Sequence, residues 1–149
     1  MKSVLVTLAV ATALFVSVEA MAVNCTDFSG DWAFEKGDSQ RDLVITQTGC
    51  ESLTRVNKFP FDYELVQTDL INGAWAEVGK EGSWTRLRKA QMDDNVLILN
   101  SEMRDSAGNV LSRSVSKFVR PAQDQLMEYY SIEYKPGDVV EFVRYYSLR

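Results

Sequence analysis

Gln125 to Leu148 reads QLMEYYSIEYKPGDVVEFVRYYSL, and the fold is decided by how its two halves are paired. Residues alternate in character on either side of Lys135-Pro136-Gly137-Asp138, a cluster rich in turn formers. In the first half Leu126, Glu128, Tyr130, Ile132 and Tyr134 share one strand face. In the second, Val140, Phe142, Arg144, Tyr146 and Leu148 do the same. Each face is apolar apart from one charge, Glu128 on one and Arg144 on the other. An odd number of loop residues makes the two faces coincide and sets Glu128 opposite Arg144; an even number sets Tyr129 there. The odd register is favoured because it puts both apolar faces on one side. Burying a guanidinium alone costs several kcal/mol, so an inward Arg144 demands a partner.

Outward from this hairpin the same rhythm persists. Further alternating segments run over 31–35, 42–48, 53–58, 61–71, 74–78, 84–91, 96–104 and 110–119, with turn-forming residues between them. Asn72-Gly73 is the sharpest turn signal, since both residues tolerate the positive φ of a two-residue type I′ hairpin. No segment sustains a 3.6-residue apolar period, and no connection is long enough for a parallel crossover. The expected fold is all-β, an antiparallel up-and-down meander of 8–10 strands closed into a small barrel. Closure is expected because it removes both unpaired edges.

The N-terminus predicts export. Lys2 precedes an apolar run from Val4 to Val18, too short for a bilayer-spanning helix, and Ala20-Met21-Ala22 is an A-x-A cleavage pattern. Residues 1–22 are read as a signal peptide and 23–149 as one β-barrel domain, with cleavage after Ala20 as the alternative. The expected location is secreted or periplasmic, without a stable membrane anchor. In an oxidising compartment Cys25 and Cys50 are expected to form a disulfide, with free thiols as the alternative. The formal net charge of −5 and the lack of a basic run argue against nucleic acid as a partner.

Gly30-Asp31-Trp32 opens the first strand, and here the chain resembles the calycin superfamily of lipocalins, fatty-acid-binding proteins and avidins, whose first strand begins with G-x-W. The resemblance implies that Trp32, after Gly30, caps the closed end of an up-and-down barrel. It further implies a last-strand basic residue on the indole, with Arg144 the first choice and Arg149 the second. Arg144-Tyr145-Tyr146 also resembles the R-x-Y pair with which fatty-acid-binding proteins hold a ligand carboxylate. The alternative is that Arg144 stacks on Trp32 or pairs with Glu128 and simply closes the barrel.

Chemistry is marked by its absences. The chain has no histidine, which removes the commonest metal ligand and the Ser-His-Asp and Cys-His arrangements. No phosphate-binding or dinucleotide fingerprint appears. The expectation is therefore no enzyme, no catalytic residue, no metal and no cofactor. A small apolar or amphipathic ligand inside the barrel is expected instead, touched by Arg144, Tyr146, Glu128, Tyr130 and Trp84. Ser112, Ser114 and Ser116 form a small polar stripe on one strand face, read as facing solvent. The rival expectation is an extracellular protein partner. In it a filled barrel, of the protease- or lysozyme-inhibitor type, acts through loops at Gly79-Lys80-Glu81-Gly82 and 135–138.

Overall fold

A computed structural model describes residues 25–134 and 137–149. Residues 1–22, expected to be a signal peptide ending at Ala20-Met21-Ala22, and Lys135 and Pro136, expected in a turn, lie outside the described residues. Ten strands follow in chain order: β1 (Gly30–Gly37), β2 (Asp42–Thr48), β3 (Ser52–Phe59), β4 (Tyr63–Leu70), β5 (Ala76–Glu81), β6 (Trp84–Asp93), β7 (Val96–Arg104), β8 (Val110–Ala122), β9 (Gln125–Tyr134) and β10 (Asp138–Leu148). All pair antiparallel in one strongly curled sheet that forms a half-barrel.

The sheet order is β4-β3-β2-β1-β10-β9-β8-β7-β6-β5, so the first and last strands of the domain join at its centre. Trp32 pairs with Leu148 and Phe34 with Tyr146 across that seam. The two free edges are β4 and β5, which are consecutive in sequence but not hydrogen-bonded to each other. This corrects the hairpin expected at Asn72-Gly73. Gly73 does take a positive φ of 69°, but the segment is drawn toward β6 instead. Ile71 bridges Ala90 in parallel, and the Gly73 amide donates to the Ala90 carbonyl. Asn72 does not share that positive φ, so the chain bends at this point without forming the type I′ turn that a two-residue hairpin demands.

Burial alternates most clearly on β2, β3 and β7, whereas β5 is exposed throughout, and the inward face builds a floor at one end of the curl. Phe28, Trp32, Leu43, Leu53, Leu97, Phe118, Leu126 and Tyr146 are almost wholly buried in it. Gly30 permits this packing, because a Cβ there would meet Leu148 Cδ1 at 2.6 Å. The lead-in 25–29 seals the floor. Cys25 and Cys50 are bridged, Gln47 Nε2 donates to the Thr26 carbonyl, and Trp32 Nε1 donates 3.0 Å to the Phe28 carbonyl. The cation over the indole is Arg120 of β8, 5.3 Å from the ring centre, and not Arg144 or Arg149. Register explains the correction: Leu148 lies level with Trp32, which leaves Arg144 level with Gly37, higher along the seam. Arg149 turns to Asp31 and Asp42.

Candidate functional site

Above the floor the inward faces change from apolar to charged. The β9–β10 hairpin has the odd register, with Arg144 opposite Glu128. Glu128 is fully buried, and its carboxylate has four partners. Arg41 Nη2 donates to both of its oxygens at 2.7 and 2.8 Å, Arg144 Nη1 donates to Oε2 at 2.8 Å, the Tyr146 hydroxyl donates at 3.0 Å, and Ser116 Oγ donates at 3.0 Å. Burial alone would raise the Glu128 pKa, but the Arg41 and Arg144 charges outweigh it and hold the carboxyl below its usual range. Tyr146 is pushed far up, first by burial and then by the neighbouring Glu128 charge.

Arg41 comes from the β1–β2 loop, and a sequence reading by strand faces passes over it. Two backbone devices aim it inward. A bulge in β1 between Phe34 and Lys36 shifts the register, and Gly37 then passes so close to β10 that a Cβ would stand 2.3 Å from the Val143 carbonyl. The loop thereby lays the Asp38 and Ser39 carbonyls on Arg144 Nε, at 2.8 and 3.3 Å. Arg144 also stacks on Phe142, 4.3 Å from its ring centre. Thus the guanidinium expected to hold ligand is enclosed by Glu128, two carbonyls and an aromatic face.

A second charged group sits beside the first. Arg55 of β3 places Nη2 3.0 Å from Gln67 Oε1 and 3.6 Å from Asp69 Oδ2. Arg88 of β6 brings Nε to 2.8 Å from Asp69 Oδ1, an ionic contact whose alignment falls short of a hydrogen bond. Burial lowers the Arg55 pKa to about 10, since Asp69 and Glu128 only partly offset the loss of water. Arg55 Nε and Asn57 Oδ1 are buried without a hydrogen-bond partner. Neither residue stands out in sequence, because both faces of β3 mix apolar and polar residues: Leu53, Arg55, Asn57 and Phe59 on one, Ser52, Thr54, Val56 and Lys58 on the other.

Between this group and the open end lies a cavity of about 290 Å³. Arg41, Arg55, Arg86 and Arg88 give it a cationic wall. Ser112, Ser114 and Ser116 line it too, which corrects the outward reading. The β8–β9 register pairs Ser114 with Ile132 and Ser116 with Tyr130, so the serines share the inward face that Phe118 continues into the floor. Leu65, Leu99, Met103, Tyr130 and Ile132 supply an apolar wall. Of the residues expected to touch ligand, Tyr130 lines this cavity, whereas Arg144, Tyr146 and Glu128 sit in the packed layer beneath it. Trp84 is 46% exposed and lines a separate hollow on the rim with Tyr63, Lys80 and Arg86. Among the described residues no group of three or more His, Cys, Asp or Glu is placed to hold a metal ion. No protein-family model matches the chain, and no curated protein or solved structure matches it.

Proposed function

We propose that this chain is an exported binding protein that holds a small amphipathic molecule in the concave interior of the half-barrel and performs no chemistry on it. The observation that carries the reading is the division of the interior: a sealed apolar floor, then a cavity of about 290 Å³ with one cationic and one apolar wall. Its size lies just below the roughly 300–1,000 Å³ of drug-sized ligand pockets, which suits a small ligand. Export is supported by the A-x-A pattern at Ala22 and by the Cys25–Cys50 bridge. A calycin-like relationship is supported by Gly30-Asp31-Trp32 opening the first strand of an up-and-down sheet.

Native mass spectrometry of the oxidised protein from its exporting host is the test. A discrete added mass, lost on organic extraction, is expected. A bare mass, together with no change in tryptophan fluorescence on adding lipophilic probes, would remove the reading. One observation favours the rival protein-binding role: β4 leaves an unpaired edge, with Tyr63, Val66 and Leu70 exposed on it and Phe61 exposed just before it. Under that role, a co-purifying extracellular protein replaces the small added mass.

A further inference from the structure

The charge inside the curl does not balance. Four guanidinium groups, from Arg41, Arg55, Arg88 and Arg144, face two carboxylates, from Glu128 and Asp69. The interior thus holds a surplus of two positive charges in a protein whose formal net charge is −5. Charges withdrawn from water are normally paired, because the desolvation penalty is several kcal/mol per ion. Glu128 meets that requirement for Arg41 and Arg144 with close bonds from both. Asp69 meets it poorly: Arg55 stands 3.6 Å away and Arg88 is misaligned. The surplus therefore gathers at Arg55 and Arg88 in the cavity wall, where Arg55 Nε, Arg88 Nε and Asn57 Oδ1 are buried without a hydrogen-bond partner and Asp69 Oδ2 behind them is likewise unmatched.

We propose that the cavity takes an oxyanion, a carboxylate or phosphate group, between Arg55 and Arg88, with Asp69 standing as the internal counterion that holds the two arginines in place when the site is empty. The proposal rests on the interior-binding reading and names the chemistry of its ligand. Two guanidinium groups supply donors suited to oxyanion geometry. Ser112, Ser114 and Ser116 supply hydroxyls that donate or accept, and Asn57 Oδ1 accepts from a ligand hydroxyl or a protonated phosphate. The low-dielectric floor beneath concentrates the field of the pair toward the opening. The lowered proton affinity of Arg55 agrees with this geometry, since it marks a cation whose partners do not replace the water it has lost.

Calorimetric titration of the oxidised protein distinguishes the possibilities with four probes: inorganic phosphate, citrate, decanoate, and the neutral dye N-phenyl-1-naphthylamine. Binding of at least one anion is expected, weakened roughly 10- to 100-fold in Arg88→Gln, the loss of one hydrogen bond to a charged group. Asp69→Asn is expected to act in the opposite direction, tightening the same anion several-fold while lowering thermal stability; a merely structural Asp69 would lower stability without tightening anything. Phosphate or citrate binding alone assigns the site to a free anion, and decanoate alone to the head of an acyl chain. If the dye binds and Arg88→Gln leaves every affinity unchanged, the anion assignment is overturned while the interior site survives. If none of the four binds, both fall. Arg55→Gln serves as a second variant where Arg88→Gln fails to fold.

Discussion

Glu128 is the residue on which the interior's polar layer turns. Its carboxylate is buried on every side and held by two guanidinium groups and two hydroxyls. Glu128→Gln keeps the shape but leaves Arg41 and Arg144 buried without their counterion, a loss of about 3–5 kcal/mol by urea unfolding. The pH dependence has a definite sign. The folded pKa lies below the ordinary 4.5, so the unfolded chain binds the proton more readily. Stability from Glu128 is therefore complete above about pH 4.5 and drains away as the pH falls through the lower folded value. The variant should show a flatter acid limb, and an unchanged limb would mean that another carboxylate governs acid unfolding. Gly37 makes a separate claim. With φ at 127° and the Val143 carbonyl in the way of any Cβ, Gly37→Ala should cost roughly 1–3 kcal/mol and loosen the loop that carries Arg41. Equal stability of the alanine variant would show that β1 can move off β10. The Glu128–Arg144 pair was legible in the sequence because strand parity and one odd loop suffice to derive it. Arg41 was not, since its aim depends on a bulge and a close backbone approach that leave no periodic signal.

At the scale of elements, alternation located all ten strands, and for β2, β7 and β9 it gave the bounds outright. Faces were harder to read than spans. On β8 the serine row reads as solvent-facing because its opposite face carries Leu111, Val115 and Val119, although Arg113 and Lys117 share that face. Tertiary pairing with β9 overrode that local reading, since a strand's face is fixed by its neighbours as well as by its own hydrophobicity. The rival's loop at Gly79-Lys80-Glu81-Gly82 has also changed character: all but Gly82 belong to β5, an edge strand protected by Glu77, Lys80, Glu81 and a bulge beside Gly79. The lead-in 25–29 is a non-strand element with a structural duty, closing the floor through Phe28 and the disulfide. Replacing Cys25 and Cys50 by serine should cost roughly 3 kcal/mol on the loop-entropy account of a 25-residue separation. Thermal melts with and without reductant check this, and reductant should leave the serine variant unaffected. An unaltered melting temperature would place the seal in Phe28 and Gln47 instead of the covalent bond.

The whole molecule is a meander folded so that its two ends meet in the middle of the sheet and its midpoint is left open. Sequence argued for closure from the hazard of unpaired edges, and the β1–β10 seam answers that argument at one side only. The unpaired side falls where Ile71 and Gly73 bond to Ala90, because a chain drawn onto β6 at one point cannot also return as a hairpin partner of β4. A gradient of protection follows from this arrangement. The seam strands have neighbours on both sides, and their inward residues Trp32 and Tyr146 are buried. β5 is paired with β6 alone and exposed along its full length. Local opening free energies range from near zero at such edges to the global value in the centre of a sheet. Amide hydrogen exchange should therefore release 76–81 first and the edge strand 63–70 soon after, with 30–34 and 142–148 exchanging only on global unfolding. Adding a ligand that occupies the cavity should slow exchange at 63–70 and 84–88, which carry Gln67, Asp69 and Arg88, more than at 76–81. Equal protection of β5 and the seam would mean that β4 and β5 come together in solution and that the half-barrel closes.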